Sequence, residues 1–231
     1  MKYLFLLALT CPILLLSQAP AITASINLAQ MTMTAEDAGF DDDYPLDIDI
    51  NLEYIRAYSF GIEQIGKQGQ ITGITYTKRG TTIKFDEEEI ANYYGYVMSM
   101  DIEGEQTTTM NYITAYALLP IFQSNGLGLF IGGETGWMIG ELENEYSFSI
   151  TQSFMGDTYS VDDSDSDTLD VSDFEDEGGQ IIDYGALISA RYNLNPKMAI
   201  SATYYYGLNK LHEDNDEMFH RGIKLGISLG A

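Results

Sequence analysis

The sequence has a single cysteine, Cys11, and few basic residues: 11 Lys and Arg stand against 35 Asp and Glu in 231 residues, a formal charge of -24. With one cysteine, no disulfide can form within the chain. A nucleic-acid binder that works through a basic surface is excluded, because phosphate affinity needs clustered Lys and Arg. The aromatic content of 12% is too high for a solvated acidic tail. We therefore expect a folded chain with one domain of barrel or sandwich size, or at most two small domains.

Long apolar runs are also scarce. One run extends from Tyr3 to Leu16, and Ala19-Pro20-Ala21 then supplies small residues of the kind that a signal peptidase reads. The run is shorter than the ~20 apolar residues that a membrane helix needs. We predict a cleaved secretory signal over residues 1–21, a mature domain over residues 22–231 and no membrane-spanning helix.

Apolar and polar residues alternate with a period of two through most of the mature domain, which is typical of strands with one apolar face. Between Leu46 and Ile62 the even positions are mostly apolar, and the odd positions are mostly polar or small. The alternation returns in four later segments: Leu127–Ile139, Ile182–Leu194, Met198–Leu208 and Ile223–Leu229. Segments 70–85 and 107–122 are less regular but rich in Thr, Ile and Tyr, and residues 22–33 supply a weaker candidate. The sequence thus predicts about eight antiparallel strands.

The connections between these strands are of two kinds. Short, turn-like connections without acidic residues lie at 66–69, 123–126 and 193–197. Four other connections contain no Lys or Arg and hold all of the acidic residues except Glu53, Glu63, Glu134 and Asp183; they are residues 36–49, 86–105, 141–177 and 213–217. Short turns on one rim and long, charged loops on the other are typical of an outer-membrane barrel.

The alternation alone leaves open which face points inward. In a soluble secreted barrel of the lipocalin kind, the apolar face lines a cavity and the other face meets water. The other face here is mostly Gly, Ser, Ala, Thr and Asn with isolated charges, whereas a water-facing strand surface is dense in Lys and Glu. We therefore predict an all-β fold, an eight-stranded antiparallel up-and-down β-barrel that spans the bacterial outer membrane.

Several segments resemble the PorT-like, porin-like family of outer-membrane β-barrels, and the resemblance is strongest over residues 46–231. They are GQITGITYTKRG (69–80), NYITAYALLPIF (111–122), GLFIGGETGWMIG (128–140), DYGALISARYNLNPKMAISATYYYGLNKL (183–211) and RGIKLGISLG (221–230). The motifs are short and degenerate, so the resemblance implies an architecture rather than an activity.

Charged residues on the strands are the first candidates for a functional site. We expect a charge network in the lumen, because an unpaired charge shielded from water costs several kcal/mol and such groups must therefore pair. Its predicted members are Glu53, Lys78, Glu134, Asp183, Arg191 and Lys224. Glu134 with Arg191 or Lys224 is the pair to test first. A polar plug and a gated solute path both remain open at this point.

The longest acidic segment suggests a second, weaker site. Asp163, Asp165 and Asp167 are spaced like the start of a calcium loop, but Thr168 and Phe174 stand where an EF-hand needs Gly and Glu. Only a looser calcium site or a solvated acidic segment is compatible with this pattern. No other cofactor is indicated.

The sequence does not favour an enzyme, because it has two histidines and no recognisable nucleophile motif. We expect a non-enzymatic surface barrel whose acidic loops contact cations or another macromolecule. The alternatives are a small-solute channel and a soluble lipocalin-like binding barrel. The expected partners are outer-membrane lipid, lipopolysaccharide, the barrel-assembly machinery and an unidentified extracellular ligand, with no nucleic acid.

Overall fold

The computed structural model describes residues 20–32, 49–93, 96–154, 157–212 and 218–230. Within these ranges the chain forms ten strands and one short helix. The strands are β1 (Ala21–Thr32), β2 (Asp49–Glu53), β3 (Ile55–Ile65), β4 (Ile71–Tyr93), β5 (Tyr96–Ser124), β6 (Leu127–Phe154), β7 (Asp157–Asp170), β8 (Ile182–Asn195), β9 (Met198–Gly207) and β10 (Phe219–Gly230). The helix α1 (Val171–Asp176) lies between β7 and β8. The predicted signal peptide lies outside the described residues, apart from Pro20 and Ala21, as do the acidic segments 36–48 and 213–217.

Every pairing between these strands is antiparallel. Eight of the strands form a circuit of pairings, which runs from β1 through β3, β4, β5, β6, β8, β9 and β10 and returns to β1. We call this circuit the ring. β2 pairs with β4, and β7 pairs with β6. The segment 22–33, whose sequence signal for a strand is weak, thus supplies a full strand, β1.

The predicted count of eight strands is wrong, since the described residues form ten. The segment predicted as one strand over 46–62 is divided at Tyr54 into β2 and β3, which pair with different parts of β4. β7 lies in a segment that was predicted to be a loop.

Apolar side chains point away from the ring and polar side chains point into it. Ile22, Phe60 and Ile131 expose 67%, 55% and 47% of their surface, whereas Thr77 and Thr114 are fully buried. This arrangement is the reverse of a soluble lipocalin-like barrel, whose apolar face lines the cavity.

Short turns close one end of the ring. The β5–β6 connection is the two-residue loop Asn125-Gly126, with φ of 49° and 85°. Positive φ at both central residues suits a hairpin turn, and Asn-Gly tolerates it with the least strain. We call this the turn end.

Two long hairpins extend the opposite end. We call them the projecting sheet, which consists of residues 82–93, 96–109, 141–154 and 157–170. Its β4–β5 ladder continues without interruption to Tyr93 opposite Tyr96, and its β6–β7 ladder joins Phe154 to Asp157.

The projecting sheet corrects the prediction of long loops at 86–105 and 141–177. Between the acidic residues these segments carry Thr, Ser, Tyr, Ile and Phe, several of which favour strands. Extending the ladder also pairs the backbone N–H and C=O groups that a loop would leave to water. An acidic composition is therefore not sufficient evidence for a loop.

Among the described residues there is no helix long and apolar enough to cross a membrane.

Candidate functional site

Six charged side chains project into the ring, three acidic and three basic; five are buried, and Lys224 is partly buried. They are Glu63, Arg79, Glu134, Asp183, Arg191 and Lys224. They form two groups, and each group contains equal numbers of acids and bases. The lumen is therefore electrically balanced.

The larger group is centred on Arg79, which lies on β4 about midway along the ring. Its guanidinium donates to Asp183 and to Glu134. Lys224 Nζ donates to both carboxylate oxygens of Glu134, at 2.8 Å and 2.7 Å. Arg79 also lies over the ring of Tyr205, 4.1 Å from its centroid, which adds a cation–π contact.

Asp183 accepts two more hydrogen bonds in this central group. Tyr205 Oη donates to its Oδ1 at 2.7 Å, and His220 Nδ1 lies 2.9 Å from its Oδ2. The carboxylate thus has partners on both oxygens. Asp183 is fully buried, so these partners are what makes an ionised group tolerable there.

The smaller group lies nearer the turn end. Arg191 Nη1 donates to Glu63 Oε1 at 2.6 Å, and Tyr116 Oη donates to Glu63 Oε2 at 3.1 Å. Arg191 Nη1 also lies 3.4 Å from Ser228 Oγ. This group ties β3, β5, β8 and β10 together across the lumen.

Apolar clusters lie on both sides of the charges. Near the turn end the cluster comprises Ile71, Leu118, Phe130, Leu187 and Tyr205. Near the projecting end it comprises Met31, Met110, Tyr112, Met138, Leu142, Phe174 and Leu211. A cavity of about 60 Å³ lies between the turn-end cluster and Glu134, enough for a few water molecules. The lumen is therefore filled by side chains over most of its length.

Helix α1 covers the projecting end of the lumen. Phe174 is buried in the cluster there, and a Cβ at Gly179 would overlap its ring, so the ring lies directly on Gly179. Gly179 N donates to Phe174 O at 2.8 Å, and Gln180 N donates to Leu211 O at 2.7 Å. These bonds hold residues 171–181 across the mouth, and we call this segment the cap.

Of the residues predicted for the lumen, Glu134, Asp183, Arg191 and Lys224 lie inside the ring. Glu134 pairs with Lys224, whereas Arg191 pairs with Glu63. The ring thus brings together one of the two pairs considered for Glu134.

Glu53 and Lys78 were assigned to the lumen incorrectly. Glu53 lies on β2 beyond the ring, where it pairs with Lys84 at 3.1 Å. Lys78 is on the outward face of β4 and pairs with Glu143 at 3.2 Å. The physical reason for Lys78 is strand parity, since the next residue on β4, Arg79, takes the inward position.

Three members of the site, Arg79, Glu63 and His220, were not predicted from the sequence. Parity carried a signal for Arg79, because Ile74 and Tyr76 mark the outward face of β4 and Arg79 has the opposite parity. His220 carried no comparable signal, because its neighbours in the sequence are not the residues that it contacts inside the ring.

The aspartates predicted as a calcium site do not converge. Asp163, Asp165 and Asp167 lie on β7, and each side-chain Oδ1 accepts a hydrogen bond from the next backbone N–H. Residues two apart on a strand are ~6.5–7 Å apart, too far for three carboxylates to share one ion. Across the described ranges, no group of three or more His, Cys, Asp or Glu side chains is placed to hold a metal ion.

The projecting sheet has two unlike faces. The face that continues the outside of the ring carries acidic residues and forms an open groove of about 1030 Å³; its lining includes Lys84, Asp86, Glu103, Glu105 and Asp162, with Ser147 and Ser149 among the smaller residues. The face that continues the lumen carries exposed apolar residues, among them Phe148 and Val161. The same lumen-side face also carries Asp163, Asp165 and Asp167 on β7, so it is mixed, whereas the outward face is polar.

Two ion pairs mark the base of the projecting sheet. The hydrogen bond from Lys78, with a second from Thr109 Oγ1 at 3.0 Å, holds the pKa of the Glu143 carboxyl below its usual value. The hydrogen bond to Glu53 raises the pKa of Lys84. Both groups lie where the outward face changes from apolar to charged.

Comparison with solved structures finds remote likenesses to outer-membrane proteins. Neisserial surface protein A (NspA) is 9% identical, with coverage of 93% of this chain and 99% of that chain and a TM-score of 0.42. Ail, the attachment invasion locus protein of Yersinia pestis, is 13% identical, with coverage of 93% and 99% and a TM-score of 0.34. OprG from Pseudomonas aeruginosa is 8% identical, with coverage of 93% and 94% and a TM-score of 0.32. No curated protein matches the chain.

A family match is more informative than these likenesses. The family described as "Outer membrane protein beta-barrel domain" matches residues 21–213, which is well over half of the chain and includes every residue of the ring up to the end of β9. The outward apolar face and the inward polar face agree with such a protein. The chain belongs to the outer-membrane β-barrel domain family and is a protein of the bacterial outer membrane.

Proposed function

We propose that this protein is a non-enzymatic, non-conducting barrel whose working part is the acidic sheet that projects from the cell surface. The observation that carries the proposal is the contrast between a lumen filled with paired charges and a large sheet that extends beyond the apolar outer face of the ring, which we call the apolar band. A filled lumen supports no transport of solute, while an exposed two-faced sheet offers a surface for contact.

The circuit of eight paired strands supports a closed, eight-stranded transmembrane barrel. β7 then lies outside the circuit as part of the projecting sheet, and β2 lies outside it beside residues 82–86 of that sheet. Barrels of the outer membrane place short turns in the periplasm and long hairpins outside the cell, so the projecting sheet faces the medium. The segments 69–80 and 183–211, which contribute to β4, β8 and β9, support placing the chain in the PorT-like branch of the family.

A simple gel experiment tests the closed barrel. A folded outer-membrane barrel resists SDS until it is boiled, and its mobility then changes. The purified protein in detergent should show two mobilities, one for the unboiled and one for the boiled sample. Identical mobilities would remove the barrel from this proposal.

The absence of conduction is tested separately. Arg79, Glu134, Asp183 and Lys224 occupy the middle of the lumen as ion pairs, with apolar clusters on either side. In a planar lipid bilayer the protein should give no discrete current steps, with an open porin as the positive control. Reproducible steps that vanish on boiling would favour the small-solute channel instead.

The outward face of the projecting sheet supports contact with cationic partners. Asp86, Glu103, Glu105 and Asp162 line the groove, and Lys84, the one base among the lining residues that the structure describes, is already paired with Glu53 and Glu105. The net charge of the groove is negative, which favours basic macromolecules, or divalent ions that bridge to the phosphates of lipopolysaccharide.

A matched pair of charge variants tests this surface. The probe is a fluorescent deca-lysine peptide, and its affinity is measured against the protein in nanodiscs over a range of NaCl concentrations. Neutralising the groove with Asp86→Asn, Glu103→Gln, Glu105→Gln and Asp162→Asn should weaken binding at least tenfold. The control variant removes four exposed acids elsewhere: Asp165→Asn, Asp167→Asn, Glu175→Gln and Glu177→Gln. Equal losses in both variants would show a general charge effect and overturn the assignment to the groove.

A further inference from the structure

His220 has an unusual environment near the projecting end of the lumen. It exposes 1% of its surface, and its Nδ1 lies 2.9 Å from Asp183 Oδ2. Its Nε2 is buried and makes no hydrogen bond with any described residue. Buried polar atoms almost always have a partner, so an orphan of this kind indicates a water or an ion.

Asp183 fixes which nitrogen is available. With Nδ1–H donating to the carboxylate, the neutral imidazole carries its lone pair on Nε2. A carboxylate behind the histidine is the usual second layer of a metal-binding imidazole, because it orients the ring and raises its basicity. Asp183 is itself held by Arg79 and Tyr205, so the ring orientation is well defined.

Methionine thioethers surround this side of the lumen. Met31 is directly opposite His220 in the β1–β10 ladder, and both side chains are buried. Directly opposite residues have Cβ atoms ~4.5–5.5 Å apart. Met110 and Met138 belong to the same buried cluster as Met31 and expose 2% and 1% of their surface.

Tyr112 connects the remaining methionines to the histidine. Its ring meets the His220 ring edge-on, with centroids 5.7 Å apart. Tyr112 Oη lies 3.3 Å from Met110 Sδ, and Tyr112 is directly opposite Met138 in the β5–β6 ladder. His220 and three methionines, on β10, β1, β5 and β6, thus lie around the same buried region.

The charges decide what kind of ion these donors suit. The nearby carboxylates of Glu134 and Asp183 are already matched by Arg79 and Lys224. Neither of these two described carboxylates has an oxygen left over for a hard divalent cation such as calcium. Neutral sulfur and nitrogen donors select soft ions, and thioethers in particular favour Cu(I).

We infer that His220 Nε2 and the thioethers of Met31, Met110 and Met138 form a binding site for a soft monovalent cation, Cu(I) or its analogue Ag(I). The site lies beneath the cap, whose Phe174 and Leu211 pack in the same cluster as the methionines. It is separate from the acidic groove and does not depend on the function proposed above.

Metal analysis of the refolded protein tests the site. The full chain, carrying Cys11→Ser so that no thiol competes for the ion, is refolded in detergent with Ag(I) present, so that the cap does not limit access. It is then desalted and measured for silver. We expect one ion per folded protein. Anaerobic competition with a colorimetric Cu(I) chelator should give a single site of the same stoichiometry.

The key variant is Met31→Leu, which conserves side-chain volume and leaves every charge partner in place. It should weaken Ag(I) binding at least tenfold, and Met138→Leu should weaken it as well. Met198→Leu, on β9 at the turn end, is the matched control and should bind like the unmodified chain. His220→Gln removes the imidazole nitrogen that would bind the ion but also disturbs Asp183. The folding of this variant must therefore first be checked by the heat-dependent gel shift.

A spectroscopic measurement separates a built site from loose association. In the NMR spectrum, the ε-methyl signals of Met31, Met110 and Met138 should shift on addition of Ag(I), while that of Met198 should not. No retained silver, or equal losses in Met31→Leu and Met198→Leu, would overturn the proposal. Either result would leave the barrel and the projecting sheet unaffected, because those are tested by gel mobility and by peptide binding.

Discussion

Lys224 Nζ lies 2.7 Å from Glu134 Oε2, although 90 residues separate the two in the chain. The pair joins β10 to β6 across the lumen, with Glu134 buried and Lys224 partly buried. Glu134 also accepts from Arg79, which in turn holds Asp183. A single carboxylate is therefore the partner of two cations, and the network should respond unequally to the loss of its members.

Glu134→Gln should destabilise the protein more than Lys224→Met. The first change leaves both Arg79 and Lys224 without the charge that they share, whereas the second leaves Glu134 with Arg79. Removing one partner of a buried pair typically costs about 3–5 kcal/mol. The free energy of unfolding, measured by urea titration in lipid vesicles, should fall by about that amount for Glu134→Gln and by less for Lys224→Met.

The double variant and a surface lysine complete this experiment. Combining Glu134→Gln with Lys224→Met removes one charge of each sign, so part of the lost stability should return. Lys197→Met, at the exposed β8–β9 turn, should change stability by less than about 0.5 kcal/mol. If Lys197→Met costs as much as Glu134→Gln, the lumen network is not the source of the effect.

Strand alternation predicted the general architecture but not the membership of the lumen network. Lys78 and Arg79 are neighbours of the same charge, and only the parity set by Ile74 and Tyr76 shows that Arg79 points inward. A shift of one residue moves a side chain to the other face of a strand, so an unanchored assignment fails completely rather than by degrees.

The projecting sheet was not predicted because its signals conflict. Residues 157–170 combine acidic residues, which suggested a solvated loop, with Thr, Tyr and Val, which favour strands. The pairing of β7 with β6 stabilises the strand conformation of these residues. The sequence pattern does not indicate that these two segments pair. Similarly, the place of His220 beside Asp183 and Met31 depends on contacts between separate strands, which the sequence pattern does not indicate.

The stability of the projecting sheet should depend weakly on pH through Glu143. Its pKa is lowered by the hydrogen bond from Lys78. A group with a lowered folded-state pKa stabilises the fold above its unfolded pKa, about 4.3 for Glu, and loses that contribution as the pH falls through the lowered value. The carboxyl is half exposed, so the effect should be about 0.5 kcal/mol or less.

Lys78→Met provides the test for Glu143. Carboxyl NMR titration should show the Glu143 pKa rising towards its ordinary value, and the acid-induced loss of amide protection in β6 should become smaller. Lys84→Met is the control, since Lys84 pairs with Glu53 and Glu105 rather than with Glu143. An unchanged Glu143 titration in Lys78→Met would contradict the role of this hydrogen bond.

The cap should open independently of the ring. Phe174→Ala removes the ring that lies on Gly179 and is buried in the projecting-end cluster. Hydrogen exchange at the Gly179 amide, which donates to Phe174 O, should accelerate at least tenfold, whereas amides in the centre of β8 should keep their protection.

Conductance gives a second measurement on the same variant. Arg79, Glu134, Asp183 and Lys224 remain paired when Phe174 is truncated. The variant should therefore still give no current steps in a planar bilayer. Phe148→Ala, on the exposed face of the projecting sheet, is the matched control and should leave Gly179 exchange unchanged. Current steps in Phe174→Ala alone would mean that the cap, and not the charge network, closes the lumen.

A pair of arginine substitutions on β6 locates the edge of the bilayer. Ile131 and Ser149 both point outward on this strand, but Ile131 lies in the apolar band and Ser149 in the acidic groove of the projecting sheet. Arginine on the lipid face of a barrel costs about 2–4 kcal/mol near the midplane and about 0–1 kcal/mol near the interface. At position 149 the new charge also meets Glu103 and Glu105, so it is not opposed. Ile131→Arg should lower the free energy of unfolding in lipid vesicles by 2 kcal/mol or more, whereas Ser149→Arg should leave it unchanged or raise it slightly; equal effects at both positions would contradict a bilayer edge between them.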